Sequence, residues 1–292
     1  MGAPLQIEPF LHAGSGTWTH VVHRGDDAVV IDPVLDYDAA SGRIGVAGLQ
    51  AVRDYLDTHG LQLRRILETH AHADHLSAAA VLRAATGAPV GIGDGIRQVQ
   101  AHFAQVFAID GDDPALRDAF DATFRDGDAI EAGSLRFHVL ALPGHTSDSL
   151  GYAIDGHVFV GDSVFAPDIG TARCDFPGGN MQALHASIQR LHAMDEATVL
   201  HLCHDYPPAG RGPRSSVTVG ESRRDNRMLN AGTTLEAFVD ARRARDAQLA
   251  APALLYPALQ VNIRGGRLPP AQANGRHYLA TPLQGELPAG LA

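Results

Sequence analysis

Between Thr17 and Asp32 the chain reads TWTHVVHRGDDAVVID, two β-rich runs around an Arg-Gly-Asp-Asp turn, and this predicts a hairpin that opens a β-meander. Apolar residues then recur at Val46, Leu49, Val52 and Leu56, a helical spacing that predicts a helix from Val46 to His59, ended by Gly60. Arg64 to Glu68 (RRILE) reads as a short buried strand, and a second helix is expected from Asp74 to Ala85, stopped by Gly87 and Pro89. Residues 93–128 are the least regular. They hold an amphipathic piece at Ile96 to Phe107 and a polar turn at Asp110 to Pro114, and read as an insertion bordering a site. Strands are predicted at Leu135–Leu142, Leu150–Ile154, His157–Val160 and Thr198–Leu202, with helices at Met181–His192 and Thr233–Leu249. The stretch LQVNIRGGRLPP, residues 259–270, reads as a strand followed by a loop. Two β-rich halves, each with helices and without an internal repeat or long linker, predict an α/β protein. Its organisation is expected to be one domain over 1–292, with 207–292 as a C-terminal extension packed on it.

Composition narrows the class. With 292 residues, 45% hydrophobic and 19% charged, the chain can bury a sizeable core and is not a disordered sequence. A formal charge of -10 argues against nucleic acid or an anionic membrane surface as partner, so an anionic ligand would have to be met by a few local arginines. Cys174 and Cys203 are the only cysteines, which excludes a disulfide framework and suits a reducing compartment. The N-terminal MGAPLQIEPF lacks the pattern of a secretory signal, and no run approaches the ~18 apolar residues of a membrane span. A soluble cytoplasmic protein is expected.

The chemistry is concentrated in Thr69-His70-Ala71-His72-Ala73-Asp74-His75, three imidazoles and a carboxylate directly after a predicted strand. Such a donor set suits Zn, Fe or Ni rather than Ca or Mg. Three further residues follow strands in the same way: His145 in Leu-Pro-Gly-His-Thr, Asp162 in Val-Gly-Asp-Ser and His204 in Leu-Cys-His-Asp. Alone, each would read as a turn or capping residue. Together, side chains from several strand ends can converge on one edge of a sheet sandwich.

The pattern His-x-His-x-Asp-His, then His, Asp and His, resembles the metallo-β-lactamase superfamily over most of residues 17–206. The resemblance implies an αββα sandwich, two mixed β-sheets flanked by helices, with a metal site at one sheet edge. The segments ETHAHADHLSAA, GDSVFAPDIGTARCDFPGG and LQVNIRGGRLPP further resemble the persulfide dioxygenase branch, a relative of glyoxalase II. What that branch implies is one Fe(II) per chain, held by His70, His145 and Asp162 with open positions for O₂ and substrate. His72, Asp74, His75 and His204 would then be outer residues or remnants of a second metal site. The implied reaction is oxidation of glutathione persulfide with O₂ to sulfite and glutathione, in sulfide detoxification, with no catalytic residue beyond the ligands.

Two residues match substrate contacts in these relatives: Arg173, eleven residues after Asp162, and Tyr206, two residues after His204. An arginine beside a tyrosine suits the carboxylates and peptide groups of glutathione. The histidines outside the ligand set, His102 and His138 among them, read as ordinary surface or hydrogen-bonded residues. A dinuclear Zn hydrolase of glutathione thioesters is the competing expectation, and a non-catalytic metal- or sulfide-binding accessory protein is a third. Expected partners are the small-molecule substrate and O₂, with a homodimer allowed.

Overall fold

The computed structural model describes residues 3–111, 113–283 and 285. Strands β1 (Gln6–His12), β2 (Thr17–Arg24), β3 (Asp27–Ile31), β6 (Gln62–Leu67), β8 (Val90–Gly93) and β9 (Ala122–Phe124) form one sheet in that order. β1, β2 and β3 pair antiparallel, whereas β3, β6, β8 and β9 run parallel. The second sheet orders β10 (Ala129–Ala132), β11 (Leu135–Ala141), β12 (Leu150–Ile154), β13 (His157–Phe159), β14 (Val199–His201) and β15 (Ser216–Thr218). It is antiparallel except between β13 and β14. A small third sheet orders β5 (Arg43–Gly45), β4 (Val34–Asp38) and β7 (Leu76–Ser77).

Alternation along the strands builds three apolar layers. Val22, Val29, Ile31 and Leu67 of the first sheet face Phe137, Val139, Tyr152 and Phe159 of the second, forming the core between the sheets. Their neighbours Val21, Val30 and Ile66 point outward and pack with helices α1 (Ala47–Thr58), α2 (Ala79–Thr86), α3 (Ile96–Val106) and α8 (Leu255–Asn262). Val158 and Leu200 likewise pack outward with α5 (Met181–His192), α6 (Val219–Asp225) and α7 (Leu235–Asp246). The arrangement is two mixed sheets between helices.

Three expectations need correction. The helix expected from Asp74 begins only at Ala79, because Leu76 and Ser77 pair with β4. The loop before it takes its hydrogen bonds from elsewhere: Asn262 accepts from Ser77 N at 2.8 Å and donates to His72 O and His75 O, each at 2.8 Å. The stretch expected as a strand at 259–270 starts inside α8, where a short apolar run is buried on every side and cannot be told from a strand by periodicity. Pro257 sits in its first turn, where no intrahelical donor is lost. Residues 93–128, read as an insertion bordering the site, instead supply α3, the one-turn α4 (Pro114–Arg117) and edge strand β9, and none of the described residues among them lines the cavity at the ligand cluster. Strands β1, β4, β5 and β15 and helix α6 had no legible pattern.

Candidate metal centre

All seven candidate ligands leave the chain where strands end. His70 to His75 follow β6, His145 lies in the loop after β11, Asp162 follows β13 and His204 follows β14. The His70–His75 loop is pinned by buried carboxylates. Asp32, at the end of β3 with φ 51°, accepts from Thr69 N at 2.7 Å and Thr69 Oγ1 at 2.9 Å. A non-glycine residue in this left-handed region is strained, and here the strain aims one carboxylate at three donors. Asp148, also buried, accepts from Ala71 N at 2.8 Å.

Each histidine spends one nitrogen on an anchor. Thr69 Oγ1 donates to Asp32, so it accepts from His70 Nδ1 at 3.1 Å. His72 donates through Nε2 to Asp32 at 3.1 Å, His75 through Nδ1 to Leu76 O at 3.3 Å, and His145 through Nδ1 to Arg173 O at 2.7 Å. The opposite atoms, His70 Nε2, His72 Nδ1 and His75 Nε2, together with His204 Nε2, are buried without a hydrogen-bond partner. Buried orphans of this kind are costly unless something unseen satisfies them, and a metal ion fits. Burial, followed by the neighbouring imidazoles, pushes His70 well below the usual histidine range, and burial likewise depresses His72 and His75. They are therefore held in the neutral, metal-binding form.

The ligand atoms fall into two groups. His70, His145 and Asp162 converge within 4.8 Å of one another, as do His72, Asp74, His75 and His204. Asp162 joins the groups: its Oδ2 lies 3.9 Å from His70 Nε2 and 3.7 Å from His145 Nε2, while Oδ1 lies 3.6 Å from His204 Nε2. Burial raises the Asp162 carboxyl above the usual range against the pull of His204 and His145. The structure thus brings together every ligand that the sequence singled out.

A cavity of about 210 Å³ opens over this centre. Phe165, Ile169 and Phe176 form its apolar wall, and Arg173, Tyr206, Arg242, Arg245 and Leu249 border it. Tyr206 stacks on His204, with ring centroids 5.6 Å apart and an interplanar angle of 8°. Arg173 sits where the sequence places it, but its guanidinium is committed to Asp175 at 2.6 and 2.7 Å and to Ala250 O at 2.6 Å. Its backbone carbonyl is the anchor of His145. Arg242 is engaged as well, with Asp246 at 2.6 Å. Among the described residues no ion pair involves Arg245, an exposed residue on α7 that sequence reading passed over as one of many arginines.

The sequence pattern of the metallo-beta-lactamase superfamily matches residues 13–204. A beta-lactamase hydrolase-like protein of Agrobacterium fabrum is 47% identical over 87% of this chain, which spans only 58% of that relative's length. Glyoxylase B2 of Dictyostelium discoideum is 37% identical, with 96% of this chain and 97% of that protein covered. Among solved structures, ETHE1 from Myxococcus xanthus is similar with a TM-score of 0.71 and 27% identity, covering 90% of this chain and all (100%) of that one.

Proposed function

The chain belongs to the metallo-β-lactamase superfamily, and from that premise we propose that it is a persulfide dioxygenase. It converts glutathione persulfide, O₂ and water into sulfite, glutathione and two protons at a single Fe(II). The observation that carries this reading is that His70, His145 and Asp162 converge as one group of two imidazoles and a carboxylate. Two imidazoles and one carboxylate with open positions are the donor set of non-haem iron oxygenases. When bound, the iron would supply the redox chemistry with O₂, and the chain's own part is orientation and electrostatics.

The cavity suits such a substrate. Phe165, Ile169 and Phe176 can exclude water from the soft sulfur end, and the carrier's carboxylates can reach the rim near Arg173, Tyr206 and Arg245. The carbonyl of Arg173 holds the His145 ring, and the Arg173 side chain stiffens the loop through Asp175. Among the described residues no helix is long and apolar enough to cross a membrane.

The second group of orphaned atoms favours one other reading, a dinuclear Zn hydrolase of glutathione thioesters, in which His72, Asp74, His75 and His204 would hold a second zinc and the metals would supply an activated water. Oxygen uptake and sulfite release by the iron-loaded protein on addition of glutathione persulfide test the proposal. Absence of oxygen uptake together with rapid cleavage of S-lactoylglutathione would overturn it in favour of the hydrolase.

A further inference from the structure

A single file of hydrogen bonds leads from the metal centre to the surface. His204 Nδ1 lies 3.3 Å from Thr17 Oγ1, which lies 2.6 Å from Ser15 Oγ. Ser15 Oγ lies 2.8 Å from His12 Nδ1, and His12 Nε2 lies 3.0 Å from Asp36 Oδ1. The His204 side chain is fully buried (0% exposed), whereas those of His12 and Asp36 are 18% and 30% exposed.

The outer end fixes where every hydrogen sits. An ionised carboxylate only accepts, so His12 Nε2 carries a hydrogen for Asp36. The backbone N–H of Ser15 also points at His12 Nδ1, at 3.2 Å, so that atom is a bare acceptor. The Ser15 hydroxyl therefore donates to His12, the Thr17 hydroxyl donates to Ser15, and His204 donates to Thr17 through Nδ1–H. His204 is left with a bare Nε2 facing Asp74 Oδ2 at 3.3 Å and Asp162 Oδ1 at 3.6 Å. Nε2 and the two carboxylates thereby present lone pairs to the centre.

We propose that Asp36, His12, Ser15 and Thr17 are positioning residues of the metal centre. They form a carboxylate-terminated relay that keeps the His204 hydrogen on Nδ1 and holds the Nε2 lone pair toward the centre beside Asp74 and Asp162.

Local packing is built around the relay. A Cβ on Gly48, in the first turn of α1, would lie 2.7 Å from His12 Cδ2 and 2.9 Å from Asp36 Oδ1, so only glycine lets the helix close over this pair. Gly48 N also donates to both Asp36 oxygens, at 3.2 and 3.1 Å. Gly16, with φ +71°, would place a Cβ 3.1 Å from Asp205 O, and its own carbonyl accepts from Asp205 N at 3.1 Å. Trp18 N donates to Cys203 O at 2.7 Å. The turn carrying the relay is thereby stitched to the strand end carrying His204.

The inference goes beyond the persulfide reading and holds for either metal, so its test uses neither O₂ nor persulfide. In Zn-substituted protein with ¹⁵N-labelled histidine, the His204 Nδ1–H should exchange slowly with water. Asp36→Asn and His12→Ala, both near the surface, should speed that exchange at least ~10-fold while leaving the melting temperature within a few degrees. Thr17→Val should weaken zinc binding in chelator competition by ~10–100-fold, the usual effect of a change in the residues behind the centre, and Thr17→Ser should restore it. Unchanged exchange in both surface variants would overturn the relay. So would a loss of zinc affinity in Thr17→Val that Thr17→Ser fails to restore, since that would be a packing effect. If Thr17→Val does not fold, the exchange measurement on the surface variants decides alone.

Discussion

Asp246 offers a sharp test of how the C-terminal helices support the metal centre. On α7, Arg242 and Asp246 form an ion pair buried to 1% and 4% side-chain exposure, with Arg242 Nε and Nη2 on Asp246 Oδ1 at 2.8 and 2.6 Å. Arg242 Nη1 donates to Thr171 O at 3.0 Å, and Asp246 Oδ2 accepts from Cys174 N at 3.0 Å. Both bonds clamp residues 171–174, the segment whose Arg173 carbonyl anchors His145. Asp246→Ala would strand a buried guanidinium, at ~3–5 kcal/mol. It would also orphan the Cys174 N–H, at ~1–3 kcal/mol. The summed loss of ~4–8 kcal/mol is a large share of the ~5–15 kcal/mol that a domain has in total. Asp246→Ala should therefore be marginally folded, and any folded fraction should bind metal ~10–100-fold more weakly, because the anchor of His145 is loosened. The double variant Arg242→Met/Asp246→Leu, which leaves no buried charge, should recover most of that stability. Urea unfolding with an unchanged m-value, combined with chelator competition, reads both effects. A loss below ~1 kcal/mol in Asp246→Ala would refute the reasoning, because it would mean that the pair is not desolvated as its burial implies.

Three other outcomes are expected. His70→Ala, His145→Ala and Asp162→Ala should each empty the iron site, whereas Asp74→Ala and His204→Ala should keep close to one iron per chain by metal analysis. Two metals in the wild type falling to one in His204→Ala would favour the dinuclear hydrolase. Arg245→Ala should raise KM for glutathione persulfide with little change in kcat, because a contact remote from the reacting sulfur gives uniform binding, and an unchanged KM would remove Arg245 from the substrate site. His192, on α5, is lowered to about 4 by burial and then Arg223, below its unfolded value of ~6.5. The unfolded state therefore takes up the proton first, and stability should fall as pH drops from ~6.5 toward ~4, by at most ~3 kcal/mol. His192→Gln, which can still bond Ser222, should flatten that slope in urea titrations.

The ligands were legible because each lies in a short local pattern: a dense histidine loop, a Pro-Gly turn before His145, and single acidic or imidazole residues after β-rich runs. The sandwich was legible for the same reason, since alternation along β2 and β3 or 3.6-residue spacing along α1 needs only neighbouring residues. What the sequence hid depends on distant contacts. The chain after His75 carries a helical pattern, but Asn262, nearly two hundred residues away, takes the hydrogen bonds that would have let the helix begin earlier. Arg173 was singled out by position, yet only the folded loop reveals that Asp175 and Ala250 occupy its donors. Asp32 reads as a turn residue before Pro33, and nothing local announces that its carboxylate meets Thr69 and His72.

This division between local and distant signals bears on what the family match carries. Residues 13–204 include all seven ligands and the apolar wall of Phe165, Ile169 and Phe176. Tyr206, Arg242, Arg245 and Leu249, which line the same cavity, lie beyond that stretch. On the proposed reading the candidate metal ligands all lie within the matched stretch, whereas the residues that would meet the substrate come from both sides of its end. Helix α7 brings Arg242, paired within the fold, and Arg245 to the cavity border, so on the proposed reading an anionic carrier should be selected even though the protein as a whole carries a charge of -10. A local cation over an apolar wall outweighs the distant surface charges, which solvent and salt screen beyond roughly 10 Å.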